Sequence, residues 1–278
     1  MAINLRHSAV TVGDLSVHVA ESGDPAARPY LLLHGWPESW RTWLGVMEAA
    51  DARMIAIDLP GIGESTGSAG GGKVRLAEVV HDLVKELGLT GVTLVGHDAG
   101  GMVAYAYLRS FGDVDRVVIM DTVIPGVDPW GDVLRNPYIW HFGLHAVPDL
   151  PEELVEGRQA RYFDYFYDVL SADPSRITPE SRAAHAAAYG SRAALGAGFD
   201  LYRAFAQDAR DNQAFAGSVD TPLLYVRGDH EGGDIDAYAR GLREAGVTRV
   251  TTAVVPDAGH FAQEEQPAAV WRIISREW

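Results

Sequence analysis

The stretch Val92-Thr93-Leu94-Val95-Gly96-His97-Asp98-Ala99-Gly100-Gly101 decides the fold. Its β-branched run, Val92 to Val95, reads as a short buried strand, and the apolar stretch Ala99 to Leu108 reads as a helix that starts at once. Only Gly96, His97 and Asp98 are left for the turn. So abrupt a passage from strand to helix puts one residue, Asp98, into a strained backbone conformation, with glycines on either side to admit close approach. The pattern is a nucleophile elbow, G-x-S-x-G, with Asp98 where serine usually stands and Gly96 and Gly100 flanking it. A serine needs a base to take its proton, whereas a carboxylate is already anionic and attacks saturated carbon directly. Asp98 therefore points to alkyl transfer rather than acyl transfer, and the helix beginning at Ala99 favours negative charge there. The plainer reading of Asp98 as a helix N-cap loses ground as partners for it emerge.

The 278 residues suffice for one large α/β domain or a domain carrying an insertion, and 47% apolar content supplies a substantial core. A formal charge of -15 argues against nucleic acid or an anionic membrane surface as partner. The absence of cysteine excludes thiol catalysis, disulfides and thiolate metal sites. No apolar run approaches a membrane span, and the N-terminus lacks an uninterrupted apolar segment, so the expectation is a cytoplasmic protein. His7, His18, His81, His97, His145, His185 and His230 show no metal-ligand spacing; neither metal nor organic cofactor is implied.

Taken in order, residues 8–21 alternate around Gly13-Asp14 and read as a hairpin. Tyr30 to Leu33 is a third strand, ending in His34-Gly35-Trp36-Pro37, a loop able to turn a backbone N–H toward a site. Met54 to Ile57 is a fourth strand. Gly67 to Lys73 fits G-x-x-x-x-G-K, but Val74 replaces the required Ser or Thr and no strand immediately precedes it, so it reads as a flexible surface loop before a helix over 74–87. Val114 to Met120 is another buried strand, ending at Asp121. From Thr122 to about Gln213 the strand-helix rhythm stops and an aromatic-rich helical pattern takes over. Strands resume at 222–226 and 250–255, with a helix over 235–245, a loop bearing His260, and a helix from Pro267 to Trp278. The fold class is α/β, a mainly parallel sheet flanked by helices with an inserted helical cap. Residues 1–124 and 213–278 form the core and 125–212 the cap. Ligands of such sheets bind at the carboxyl ends of the strands, where Asp98, Asp121, Glu231, His260 and the His34 to Pro37 loop all fall.

Nucleophile, insertion, acid and late histidine in this order, with H-G-W-P at 34–37 and G-H-D-A-G-G at 96–101, resemble the α/β-hydrolase fold enzymes, specifically the epoxide hydrolase branch. Asn136 to Phe142 and Phe199 to Phe205 are similar to cap segments of the group typified by the cystic fibrosis transmembrane conductance regulator inhibitory factor. The resemblance implies a small-molecule epoxide as substrate and a covalent ester on Asp98, hydrolysed by water that His260 activates. His141 and Tyr202 would donate to the epoxide oxygen, and the N–H groups of Trp36 and Ala99 would form the oxyanion hole. Asp121 and Glu231 compete as the acid behind His260; the Val-Ile-Met-Asp-Thr segment is similar to the acid-bearing segment of the inhibitory-factor group and favours Asp121. The rival readings are a haloalkane or haloacid dehalogenase and a non-catalytic small-molecule receptor. Ala99 and Trp36 stand where haloalkane dehalogenases carry Trp and Asn, which weakens the halide reading. Assembly into a homo-oligomer stays open.

Overall fold

The computed structural model describes residues 3–278. Its centre is an eight-stranded sheet in the order β1-β2-β4-β3-β5-β6-β7-β8. The hairpin β1 (Arg6–Val12) and β2 (Leu15–Ser22) closes around Gly13-Asp14, with Val12 opposite Leu15, and β2 runs antiparallel to β4 (Arg53–Ile57). From there the strands are parallel: β4, β3 (Pro29–Leu33), β5 (Thr93–His97), β6 (Arg116–Met120), β7 (Leu223–Gly228) and β8 (Val250–Val255). All five residues of β5 are buried, as its apolar run requires of a strand covered on both faces.

The covering helices are α1 (Leu44–Ala49), α2 (Lys73–Glu86) and α3 (Ala99–Ser110), followed between β6 and β7 by seven more. These are α4 (Trp130–Val133), α5 (Trp140–His145), α6 (Leu150–Val155), α7 (Gln159–Leu170), α8 (Pro179–Ala188), α9 (Arg192–Arg203) and α10 (Phe205–Ala214). α11 (Ile235–Glu244) lies between β7 and β8, and α12 (Ala262–Glu265) and α13 (Pro267–Ile274) close the chain. Residues of α2, α3 and α11 share one core with the aromatic residues of the inserted segment, while α1 and α13 pack against the other face. α3 is buried from Ala99 through Leu108, matching its nearly unbroken apolar sequence.

Several expected boundaries shift. α1 and the 3-10 turn before it, Trp40–Trp43, lie between the His34 to Pro37 loop and β4, a stretch with no expected helix. The last helix stops at Ile274, short of the expected Trp278. The Gly67 to Lys73 stretch is not simply a flexible surface loop: Gly71 and Lys73 are buried, and Lys73 is the first residue of α2. Among the described residues no helix is long and apolar enough to cross a membrane.

Candidate active site

Asp98 stands between β5 and α3 with φ 45° and ψ -119°, and its side chain makes no helix-capping bond. Its backbone is thus strained rather than a plain N-cap, and such strain persists only where the surroundings over-determine it. The flanking glycines explain how. A Cβ on Gly96 would lie 2.2 Å from the Gly100 carbonyl oxygen, and one on Gly100 would lie 2.4 Å from that of Leu33. The β3 loop closes over the elbow, with a cis peptide bond between Trp36 and Pro37. There the Trp36 N–H donates to Asp98 Oδ2 at 2.9 Å. Oδ1 makes no protein hydrogen bond among the described residues, so the two carboxylate oxygens are already differentiated.

His260 follows β8, and its Nδ1 donates to Glu231 Oε1 at 2.6 Å. The acid that holds His260 is therefore Glu231, not the favoured Asp121. Asp121 follows β6 at φ 45°, and its Oδ1 is turned to accept the Gly228 N–H at 2.9 Å, bracing the end of β7. Glu231 gets its reach from loop packing: His230 N donates to the Ala258 carbonyl at 2.9 Å, and Ala258 N donates to Asp229 Oδ1 at 3.1 Å, so the β7 and β8 loops run side by side. Its other oxygen pairs with Arg227 Nη2 at 3.0 Å. Burial opposes ionisation of Glu231, but the His260 hydrogen bond and the charges of His260 and Arg227 outweigh it and lower its pKa. Burial likewise works against a charged His260, yet the Glu231 bond and charge leave its pKa raised above 6.5. Asp121, buried and facing the Glu231 charge, is pushed up to about 7, and its Oδ2 has no partner.

Behind the elbow lies a second pair that the sequence did not disclose. Glu38 is fully buried, and its carboxylate accepts from Gly35 N, His97 Nδ1, Thr42 Oγ1 and Gln263 Nε2 at 3.0, 2.8, 2.6 and 2.7 Å. The other ring nitrogen of His97 faces the His260 carbonyl oxygen at 2.7 Å. A carbonyl and a carboxylate filled by donors can only accept, so both nitrogens of His97 carry protons. Burial alone would lower its pKa; the charge and hydrogen bond of Glu38 raise it to about 9. The His97 and Glu38 pair thus ties the β3 loop, the elbow and the His260 loop together. The His260 loop is also fastened to the inserted helices: His260 N donates to the Leu170 carbonyl at 2.9 Å, and Glu265 accepts from Gly259, Ala172 and Asp173 N–H groups.

Asp98, His260, Trp36, His141 and Tyr202 line one cavity of about 570 Å³, with Asp121 and Glu231 in its wall. The size and aromatic lining suit a small organic ligand. His141 on α5 and Tyr202 on α9 have ring centroids 5.8 Å apart, and Trp36 and His145 pack behind them. Burial lowers the His141 pKa to about 3, so the ring is neutral. Its Nδ1 is buried without a partner; because a bare buried acceptor is tolerated better than an orphaned N–H, the proton belongs on Nε2. Burial also raises the Tyr202 pKa well above 10.0, which keeps its phenol protonated. Both are neutral donors. The Ala99 N–H opens α3 beside Asp98, where the first helical amides lack intrahelical partners. At the surface, Asp229, His230 and Asp257 bring possible ligand atoms within 4.8 Å of one another, an approach their sequence spacing does not reveal.

Residues 29–267 match the family model described as alpha/beta hydrolase fold. The chain is 30% identical over 281 residues to the soluble epoxide hydrolase of Corynebacterium sp. (strain C12), covering 97% of this chain and 96% of that protein. Among solved structures it is similar to wild-type Cfl2 from Burkholderia cenocepacia, with TM-score 0.88 and 32% identity over 98% of this chain and 95% of the other. It is also similar to the Cif epoxide hydrolase from Acinetobacter nosocomialis, with TM-score 0.84 and 25% identity over 99% and 89%. A carboxylate at a strained strand-to-helix turn, sharing its cavity with a histidine that has a partly buried acid partner, agrees with these likenesses: the chain belongs to the α/β-hydrolase fold family, in its epoxide hydrolase branch.

Proposed function

We propose that this site adds water to an epoxide to give a vicinal diol, through a hydroxyalkyl ester on Asp98. The observation that carries the reading is one cavity holding a carboxylate nucleophile, a histidine base and two neutral hydrogen-bond donors. Asp98 Oδ1, the oxygen without a hydrogen bond, attacks an epoxide carbon in line with the breaking C–O bond. His141 Nε2–H and Tyr202 O–H meet the negative charge that grows on the departing oxygen, which leaves as an alkoxide and takes the phenol proton of Tyr202 to become the first hydroxyl. Such preorganised donors are worth about 10²–10³ in rate each.

In the second step His260 Nε2 takes a proton from water, and the hydroxide adds to the ester carbonyl carbon of Asp98. The carbonyl oxygen is Oδ2, already held by the Trp36 N–H at 2.9 Å; the Ala99 N–H completes the oxyanion hole. Collapse breaks the bond from Asp98 Cγ to the alkylated oxygen, His260 returns its proton to the departing diol, and the carboxyl group left on Asp98 ionises, its proton restoring the Tyr202 phenol. Glu231 fixes the tautomer of His260 and stabilises the imidazolium. Segment 125–212 acts as the lid, and its aromatic residues favour an apolar or aromatic epoxide. The formal charge of -15 argues against a nucleic-acid partner.

The route predicts the fate of the water oxygen. In a single turnover in ¹⁸O-water with enzyme in excess, the label enters the peptide containing Asp98 and the first diol is unlabelled. Label in the diol with none in that peptide would mean direct attack of water on the epoxide and would refute the ester.

A further inference from the structure

Lys73 ends the rejected G-x-x-x-x-G-K motif, yet its side chain is 2% exposed and fully paired. Its ammonium donates to the Leu201 carbonyl at 2.5 Å, Asp208 Oδ2 at 2.8 Å and the Gly71 carbonyl at 3.1 Å. The other oxygen of Asp208 accepts the Lys73 backbone N–H at 2.8 Å and so caps the first turn of α2. Leu201 belongs to the last turn of α9, whose final carbonyls lack onward partners in the helix. A cation is favourable at that end of the helix dipole. The next residue is Tyr202.

Two further contacts converge on the same place. Lys73 Nζ lies 4.9 Å from the Phe205 ring centroid, and the Phe205 ring packs 5.2 Å from that of Tyr202. The glycine loop presses on the backbone of α9 so closely that a Cβ on Gly71 would fall 1.8 Å from the Asp200 carbonyl oxygen. Burying an ammonium and a carboxylate costs several kcal/mol before their attraction offsets it, and apolar side chains of similar volume often staple two elements as well or better. What the ion pair adds is direction, because a donor must meet a particular carbonyl.

We propose that Lys73, held by Asp208, is a positioning residue that fixes the end of α9 against the core and thereby sets the Tyr202 hydroxyl for epoxide opening. The inference rests on the reading of Tyr202 as a donor to the epoxide oxygen. Lys73 touches neither substrate nor reacting atoms and acts through Tyr202.

The test is a cycle combining K73M/D208N, which removes the ion pair without stranding a charge, with Tyr202→Phe. Rapid quenching with styrene oxide separates ester formation from ester hydrolysis. Loss of the pair slows ester formation about tenfold or more and leaves ester hydrolysis within about twofold, since His260 and Glu231 perform that step. In the Tyr202→Phe background the same double substitution has no further effect on ester formation. Unchanged ester formation in a cooperatively melting K73M/D208N protein overturns the inference, and so does an equal loss in both backgrounds. If Tyr202→Phe alone leaves ester formation intact, the reading of Tyr202 falls and takes the inference with it. Should the double variant fail to fold, Asp208→Asn alone keeps Lys73 in place and removes the charge that holds it. The same selective loss supports the inference, and unaltered ester formation overturns it.

Discussion

His260 Nδ1 donates to Glu231 Oε1 across 2.6 Å, while Asp121, at the end of the neighbouring strand, spends its Oδ1 on the Gly228 N–H. The two carboxyls differ in state as well as direction, one held low by its cationic neighbours and the other pushed up to about 7. Glu231→Gln should therefore slow hydrolysis of the ester by about 10³-fold or more, as loss of the acid does in other triads, with ester formation nearly intact. Asp121→Asn keeps the acceptor oxygen for Gly228 and should leave hydrolysis within a few-fold. Single-turnover rates of the two variants check this; the reverse ranking would restore Asp121 as the acid.

The base should show a pH signature. His260 works as a base only when neutral, so hydrolysis rises with pH and levels off above its pKa, which lies above 6.5 in the free enzyme. The charge of Asp98 contributes to that elevation, and esterification removes the charge. The midpoint for hydrolysis of the ester should accordingly lie below the His260 midpoint measured by NMR in the free enzyme. Coincident midpoints would show that Asp98 and His260 do not sense each other.

Donation to the epoxide oxygen predicts losses confined to the first step. Tyr202→Phe and His141→Phe should each slow ester formation by about 10²–10³ while leaving hydrolysis of a preformed ester almost unchanged. Because His141 stays neutral down to about pH 3, its titration should leave no mark on the rate above that value. Quenched-flow measurement of both steps separates this role from simple packing, which would disturb the two together.

The elbow was legible because it is local: a strand, three residues and a helix leave one geometry for Asp98. The parallel sheet and the strand ends followed from the same alternation. Choosing between Asp121 and Glu231 required knowing which way a carboxyl turns at φ 45° and how closely two loops run, and neither is written in spacing. Glu38, His97 and Gln263 meet from three separate loops, so no motif marks their network. Lys73 looked like part of a flexible loop because its partners, Leu201 and Asp208, lie on helices far along the chain.

The His97 and Glu38 pair makes stability depend on pH. A histidine with its pKa raised from 6.5 to about 9 contributes stability that is complete below 6.5 and is lost as pH rises through about 9. Glu38, held below its ordinary 4.5, contributes stability present above that value and lost as pH falls through its lowered pKa. Urea unfolding should show the stability difference between wild type and Glu38→Gln at its largest between 4.5 and 6.5, shrinking toward pH 9. A difference independent of pH would mean that His97 is not charged.

The most direct measurement of the central claim is the intact mass of His260→Gln after incubation with styrene oxide. Without its base the enzyme should form the ester and fail to hydrolyse it, so the protein gains the mass of one whole epoxide and the modified peptide contains Asp98. A protein that remains unmodified across several epoxides, or one modified anywhere but Asp98, would contradict the covalent route.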